Sequence, residues 1–91
     1  YHRVDAKRGM LYAVGMSGEF LAWDINAQKT KWAGYLPPGM EWYNRAILID
    51  DETGMVYTTN RDKEDKERHF IKYDPAKNRL QFPLPSPLLW P

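Results

Sequence analysis

The stretch DAKRGMLY at residues 5–12 returns later in the chain as DDETGMVY at residues 50–57. Four of the eight positions are identical, at a spacing of 45 residues. A second pair, FLAWD at residues 20–24 and FIKYD at residues 70–74, is related by a spacing of 50 residues. The five additional residues fall within the wholly charged run at residues 61–68, and a solvated loop tip is where a repeat lengthens at low cost. The chain is therefore predicted to contain two related units.

Each unit is predicted to be a series of short strands joined by turns. The alternation at residues 20–25 puts Leu21, Trp23 and Ile25 on one face of a strand. The continuous apolar run at residues 46–49 is typical of a strand that is buried on both faces. In the first repeated motif, the aspartate bonds the turn backbone and the glycine supplies a positive φ. The predicted strands cover residues 10–14, 20–25 and 31–36 in the first unit and residues 46–49, 55–59, 70–73 and 80–84 in the second.

Four strands in a repeat of about 40–50 residues are typical of a β-propeller blade. Each unit has the motif Gly-x-Leu/Val-Tyr, followed by Phe-x-x-Trp/Tyr-Asp and a polar turn. This order of motifs resembles the blades of quinoprotein-like, NHL and streptogramin-lyase-like propellers. The resemblance implies an all-β fold of two antiparallel four-stranded blades, at about residues 1–38 and 44–86, with edge strands near Leu36 and Leu84. Residues 1–91 would form a single unit with a proline-rich tail. A small β-barrel or sandwich is the alternative, since eight short strands fit either architecture.

The composition argues against several classes of function. Lys and Arg total 13 and Asp and Glu total 12, so the net charge of +1 gives no electrostatic case for nucleic acid. Cysteine is absent, which excludes disulfides, thiolate catalysis and cysteine zinc sites. No stretch reaches the roughly 20 apolar residues of a membrane helix, so a membrane is not an expected partner. No targeting signal indicates a compartment.

The residues that carry catalysis or bind metals elsewhere occur here in patterns that favour structural roles. GMSGE at residues 15–19 lacks the last glycine of a nucleophile elbow and favours a hairpin loop. His2 and His69 lack a partner at ligand spacing, so no metal site is predicted. The acidic triplet at residues 50–52 stands where Asp5 stands in the first unit, which indicates a turn rather than a cation site. No phosphate-binding or dinucleotide-binding glycine pattern occurs, so no cofactor is expected.

The propeller resemblance also implies one candidate ligand site. In a propeller, the loop that enters the innermost strand and the loop between the second and third strands lie on the same face. In the second unit these loops would bring two aromatic rings, two amides and two guanidinium groups to the mouth of the channel. This mixture suits a polar small molecule, such as a sugar stacked on an indole or a carboxylate held by arginine, unless the two rings simply pack between blades. The predicted residues are Trp42, Tyr43, Asn44, Arg45, Asn60 and Arg61.

Two functions from different classes fit these observations. The first is a non-catalytic scaffold or recognition surface, as a module or as a fragment of a longer propeller, with copies of itself or further blades as partners. The second is part of a propeller enzyme, a carbohydrate lyase or hydrolase or a quinoprotein-like oxidoreductase, whose active site needs further blades. We expect the first, because the sequence carries no nucleophile, metal or cofactor motif. A blade covered on one face only would also leave apolar surface for association.

Overall fold

The computed structural model describes residues 1–15, 18–36, 47–61 and 68–81. Within these ranges the chain is all β, with eight strands and no helix. The strands are β1 His2–Asp5, β2 Met10–Val14, β3 Glu19–Asp24 and β4 Lys29–Tyr35, then β5 Ile47–Ile49, β6 Val56–Arg61, β7 Arg68–Asp74 and β8 Arg79–Gln81. They form two antiparallel four-stranded sheets, ordered β1-β2-β3-β4 in sheet 1 and β5-β6-β7-β8 in sheet 2.

This topology confirms the predicted fold class at the level of two antiparallel four-stranded sheets. In each sheet every strand pairs with its neighbour in sequence, so each sheet is a simple meander. The sheets are not closed into a barrel, because β1 to β4 and β5 to β8 form separate hydrogen-bonded ladders. The alternative of a small β-barrel is therefore wrong for the described strands.

The two sheets share one pairing pattern. Corresponding residues in the first two strands of each sheet are 45 apart, and those in the third strands are 50 apart, which are the spacings of the sequence motifs. The third and fourth strands of sheet 1 differ in having a register shift next to Ala22 and Trp23. For example, Val4 pairs with Leu11 in sheet 1 as Ile49 pairs with Val56 in sheet 2. Likewise, Leu11 pairs with Trp23 as Val56 pairs with Tyr73.

The turns of the two sheets are also built alike. Gly9 and Gly54, which come just before β2 and β6, have φ values of 68° and 81°, a region that a Cβ atom disfavours. Gln28 and Asn78, in the β3–β4 and β7–β8 turns, have φ values of 55° and 53°. An aspartate carboxylate at the start of each turn accepts a backbone N–H three residues later, which stabilises the reversal. These bonds run from Arg8 to Asp5, Thr53 to Asp50, Ala27 to Asp24 and Lys77 to Asp74.

The two sheets pack face to face around one apolar core. Burying one large apolar side chain in such a core contributes roughly 1.5–3 kcal/mol, so the contact between the sheets contributes substantially to stability. We call the face of each sheet that enters this core its covered face and the opposite face its outer face. The core contains Met10, Tyr12, Val14, Phe20 and Ala22 from sheet 1, Leu36 just after β4, and Ile47, Val56, Ile71 and Tyr73 from sheet 2.

Strands β3 and β5 are each covered by the opposite sheet on one face only. Two of the three apolar residues predicted to share a face of β3, Leu21 and Trp23, do share one, and it is the outer face, where both are half-buried. The third residue, Ile25, is 40% exposed in the following turn. The strand predicted to be buried on both faces is covered on one only, since Ile47 is buried whereas Leu48 is 63% exposed. The expectation for β5 was wrong because a continuous apolar pattern does not reveal which face a neighbour covers.

Other predicted boundaries were close or lie outside the described residues. Strand β2 has the predicted bounds, and β6 continues two residues further than predicted, to Arg61. Strand β1 was not among the predicted strands, because Val4 is its single apolar residue. The predicted positions of Ala46, Phe82 and Leu84, and the proline-rich tail, lie outside the described residues.

Candidate functional site

Most of the ligand site predicted from the sequence lies outside the described residues. This holds for Trp42, Tyr43, Asn44 and Arg45, which precede β5. Asn60 and Arg61 are the last two residues of β6, where their backbones pair with those of His69 and Arg68. They therefore belong to the strand ladder rather than to the loop, and their side chains lie outside the description. The sugar or polar small-molecule site stays a prediction.

A shallow cleft lies at the end of sheet 1 where β2 gives way to β3. Its volume is about 430 Å³. The lining is mostly apolar, and the carboxylate of Glu19 lies close to the position that a Cβ atom on Gly15 would take. This cleft offers a small apolar surface beside one carboxylate. It is lined by Ala13, Val14, Gly15, Glu19, Phe20, Leu21, Ala33, Gly34 and Tyr35.

The contact between the sheets is centred on a cluster of aromatic rings. Tyr73 of sheet 2 packs against two rings of sheet 1, with centroids 6.1 Å from Tyr12 and 5.5 Å from Phe20. Tyr12 and Phe20 are stacked at 6.2 Å, and Trp32 of β4 lies 5.6 Å from Phe20. Edge-to-face and offset ring pairs at these distances add to the stability gained from burial alone. One tyrosine of sheet 2 thus anchors both middle strands of sheet 1.

The two tyrosine hydroxyls of this cluster have different surroundings. The Tyr73 hydroxyl donates a 2.5 Å hydrogen bond to Oδ1 of Asn78. The Tyr12 hydroxyl is buried and has no hydrogen-bond partner among the described residues. Desolvation raises the pKa of Tyr73 to about 12, with a smaller contribution from the Asp74 carboxylate. Desolvation also raises the pKa of Tyr12 well above its usual range, helped by the nearby Tyr73 and Asp5.

Arginine hydrogen bonds join the sheets beside β1 and the turn that follows it. Arg3 of β1 donates from Nη1 to the Ile47 carbonyl at 2.8 Å. Arg8 donates from Nη2 to the Asp51 carbonyl at 2.7 Å and from Nη1 to the Asp5 carboxylate at 3.1 Å. The Asp5 carboxylate is buried, so it positions the guanidinium against sheet 2. These bonds fix the relative position of β1 and β5, the strands by which the sheets approach most closely.

A second set of hydrogen bonds joins β4 to the β7–β8 turn. Lys31 donates from Nζ to the Pro75 carbonyl at 2.7 Å. In return, Asn78 donates from Nδ2 to the Lys31 carbonyl at 2.9 Å. Asn78 therefore links the Tyr73 hydroxyl to the opposite sheet.

Sequence reasoning missed the residues that make this contact. Tyr12 and Tyr73 lie within the two repeated motifs, so the repeat was the signal that could have identified them. Arg8 carried no such signal, because the equivalent residue of the second unit is Thr53.

The described residues also bear on metals and membranes. They contain no cluster of three or more His, Asp and Glu side chains arranged to hold a metal ion. The same ranges include no helix with the length and apolar character needed to cross a membrane.

The outer faces of the two sheets carry apolar and aromatic residues as well. In sheet 1 these include Val4, Leu11, Leu21 and Trp23, and in sheet 2 they include Leu48, Tyr57 and Phe70. No described strand lies on either outer face, because all eight strands belong to the two sheets. Comparisons of the chain with protein-family models, curated proteins and solved structures found no match.

Proposed function

We propose that the chain is a pair of propeller-type blades that serves as a scaffold or recognition module, with its contact surfaces on the sheet faces. One observation carries this proposal: the two sheets bury opposite faces at equivalent positions. Tyr12 is buried in sheet 1, whereas its equivalent in sheet 2, Tyr57, is on the outer face. Conversely, Val56 is buried in sheet 2, whereas its equivalent Leu11 is on the outer face of sheet 1.

This opposite burial distinguishes a head-to-tail contact from a symmetric one. Two similar sheets related by a two-fold axis would bury the same face and so complete a closed sandwich. A head-to-tail contact instead joins two different faces, so it leaves one copy of each of these faces uncovered. Such heterologous contacts can be repeated with further units. Successive blades of a propeller meet in this way.

The topology of each sheet supports the same function. Sandwiches of the immunoglobulin type exchange strands between sheets through Greek-key connections, whereas a blade is a four-stranded meander. Here both sheets are meanders, and their first strands, β1 and β5, come closest together. The innermost strands of adjacent blades would have this relation.

A tandem fusion tests the proposed scaffold. Two copies are joined by a flexible Gly/Ser linker, and unfolding in urea is compared with that of one copy carrying the same linker. We expect the tandem protein to have a higher midpoint and a larger m-value, because the second copy covers a face of the first and enlarges the cooperative unit. An unchanged midpoint and m-value would show that each copy is already complete, as in a closed sandwich.

A further inference from the structure

We propose that the two outer faces bind each other between copies of this chain, so that the outer face of sheet 1 in one copy packs on the outer face of sheet 2 in another. This inference rests on the proposed function and specifies its partner, a second copy. Outer face 1 comprises Val4, Leu11, Ala13, Leu21 and Trp23. Outer face 2 comprises Leu48, Tyr57, Thr59, Phe70 and Lys72.

Each outer face is the counterpart of one side of the contact inside the chain. Each residue of outer face 1 has an equivalent on the covered face of sheet 2. The equivalent is 45 residues later for β1 and β2 and 50 residues later for β3. By the same spacings, the residues on the covered face of sheet 1 have their equivalents on outer face 2. The two outer faces therefore have the strand register of a contact that the chain already makes. The correspondences for outer face 1 are Val4 to Ile49, Leu11 to Val56, Ala13 to Thr58, Leu21 to Ile71 and Trp23 to Tyr73.

The aromatic residues at the centre of the contact inside the chain have aromatic equivalents on the two outer faces. Inside the chain, Tyr73 lies against Tyr12 and Phe20. The residue equivalent to Tyr73 is Trp23, which lies half-buried on outer face 1. The equivalents of Tyr12 and Phe20 are Tyr57 and Phe70 on outer face 2. A second copy would therefore bring one indole against two aromatic rings, and such anchors dominate the energy of interfaces.

Exposed apolar residues lie at the edge that would be innermost in this assembly. Leu48 on outer face 2 is 63% exposed, and Val4 on outer face 1 is 51% exposed. The internal contact is closest between β1 and β5, and Leu48 lies in β5 and Val4 in β1. Apolar residues exposed at this edge fit a contact between copies.

Outer face 2 departs from the covered face of sheet 1 at one central position. Lys72 stands where sheet 1 has Ala22, which is fully buried. The stem of a lysine packs against apolar surface while its ammonium extends to the rim, at a cost in fit. The arginine bonds are also missing, because Leu48 stands in place of Arg3 and Thr53 in place of Arg8. We therefore expect the contact between copies to be weaker than the contact within one copy.

Sedimentation over a range of protein concentrations tests the inference. The native chain should associate, and Trp23→Ala should raise the dissociation constant at least about tenfold, as for an aromatic anchor. Lys72→Ala introduces the residue that sheet 1 has at the equivalent position, Ala22, and should lower the dissociation constant. Because this second variant predicts a gain, the test does not depend on whether the tryptophan variant folds. Lys77→Ala, at an exposed turn position, is the matched control and should leave the constant unchanged.

Crosslinking tests which faces meet. The chain has no cysteine, so single cysteines at His2→Cys and Leu48→Cys provide unique sites for a short bis-maleimide. Arg3 bonds to Ile47 inside the chain, and the equivalent neighbours between copies are Leu48 and His2. A mixture of the two variants should therefore crosslink as mixed dimers in preference to dimers of either variant alone.

The inference would be overturned if both the native chain and Lys72→Ala stayed monomeric at every concentration. It would also be overturned if each cysteine variant crosslinked only to itself and no mixed dimers formed. If the tandem fusion were nevertheless stabilised, a tethered second copy would still cover a face of the first, so the scaffold function would stand and only the association of separate chains would be wrong. If the tandem fusion also behaved as two independent units, the scaffold function would fail as well.

Discussion

At the scale of single residues, the two buried tyrosines show how one side chain type takes two roles in one core. The Tyr73 ring contacts both central rings of sheet 1, and its hydroxyl is held by Asn78. The Tyr12 ring is equally buried, but its hydroxyl has no partner among the described residues. A buried hydroxyl without a partner loses its hydration for no gain, so the two hydroxyls should contribute to stability with opposite signs.

Removing each hydroxyl tests this difference. Tyr73→Phe should lower the free energy of unfolding by about 1 kcal/mol, because a good hydrogen bond is lost. Tyr12→Phe keeps the ring and removes only the unpaired group, so the free energy should stay the same or rise by up to about 1 kcal/mol. Urea unfolding at pH 7 measures both values, and each variant serves as the control for the other. A larger loss in Tyr12→Phe than in Tyr73→Phe would contradict the assignment of the hydroxyls.

The raised pKa values of both tyrosines extend this prediction to alkaline pH. Below pH 10, both hydroxyls are protonated in the folded and unfolded states, and their contribution to stability is complete. Above about pH 10 the unfolded chain loses these protons, while the folded chain retains that of Tyr73 until its pKa of about 12. Stability should therefore fall as the pH rises through this window. The fall should be shallower in either phenylalanine variant than in the native chain.

At the scale of elements, the β3–β4 and β7–β8 turns have the same backbone but different side-chain bonds. Gln28 and Asn78 both adopt the left-handed conformation, which costs a non-glycine residue roughly 1 kcal/mol or more. Gln28 is exposed, and its turn needs only the backbone shape. Asn78 bonds the Tyr73 hydroxyl and the Lys31 carbonyl, so its turn also joins the two sheets.

Glycine substitution separates the two contributions. Gln28→Gly relieves the left-handed conformation and should raise the free energy of unfolding by about 0.5 kcal/mol. Asn78→Gly gives less relief, because asparagine tolerates the left-handed conformation better than glutamine, and it removes two hydrogen bonds, so it should lower the free energy by about 1 kcal/mol. Chemical denaturation measures both variants under one set of conditions. Equal effects would show that Asn78 acts through its backbone alone.

The strands themselves were largely predictable from the sequence, whereas the covered face was not. Strand β2 was predicted with the observed bounds, because Gly9 and Gly15 frame a short apolar run. Strand β1 was missed, since its formation depends on pairing with β2 rather than on its own pattern. The sequence placed Leu21 and Trp23 on one face of β3 but did not show whether that face is covered. Both faces of β3 are apolar, so only a neighbouring sheet decides which is covered.

The candidate site was less predictable than the fold. The predicted ligand residues were derived from a propeller resemblance, and Trp42 to Arg45 lie outside the described residues. The contact between the sheets depends on pairs such as Arg3 with Ile47, separated by 44 residues in sequence. No local pattern specifies a side-chain bond to a distant carbonyl. The repeat does place Tyr12 and Tyr57 at equivalent positions, but it does not show that only Tyr12 is buried.

At the scale of the whole molecule, the two sheets share one core. Neither sheet has a covered face without the other, because the single core takes residues from both. A chain of this length has a net stability of only about 5–14 kcal/mol, at roughly 0.05–0.15 kcal/mol per residue. The loss of the shared core would exceed much of that amount. We therefore expect the sheets to unfold together rather than in sequence.

Hydrogen exchange of a matched pair of variants tests this cooperativity. Ile71 is fully buried in sheet 2, and Ile25 is 40% exposed in a turn of sheet 1. Ile71→Val should lower the free energy of unfolding by about 0.5–1.5 kcal/mol, whereas Ile25→Val makes the same chemical change with little effect. In dilute protein, the most protected amides of β2 and β3 should lose as much protection in Ile71→Val as those of β6 and β7, because one opening exposes both sheets. A loss of protection confined to sheet 2 would show that the sheets open separately and that the aromatic contact at Tyr73 does not couple them.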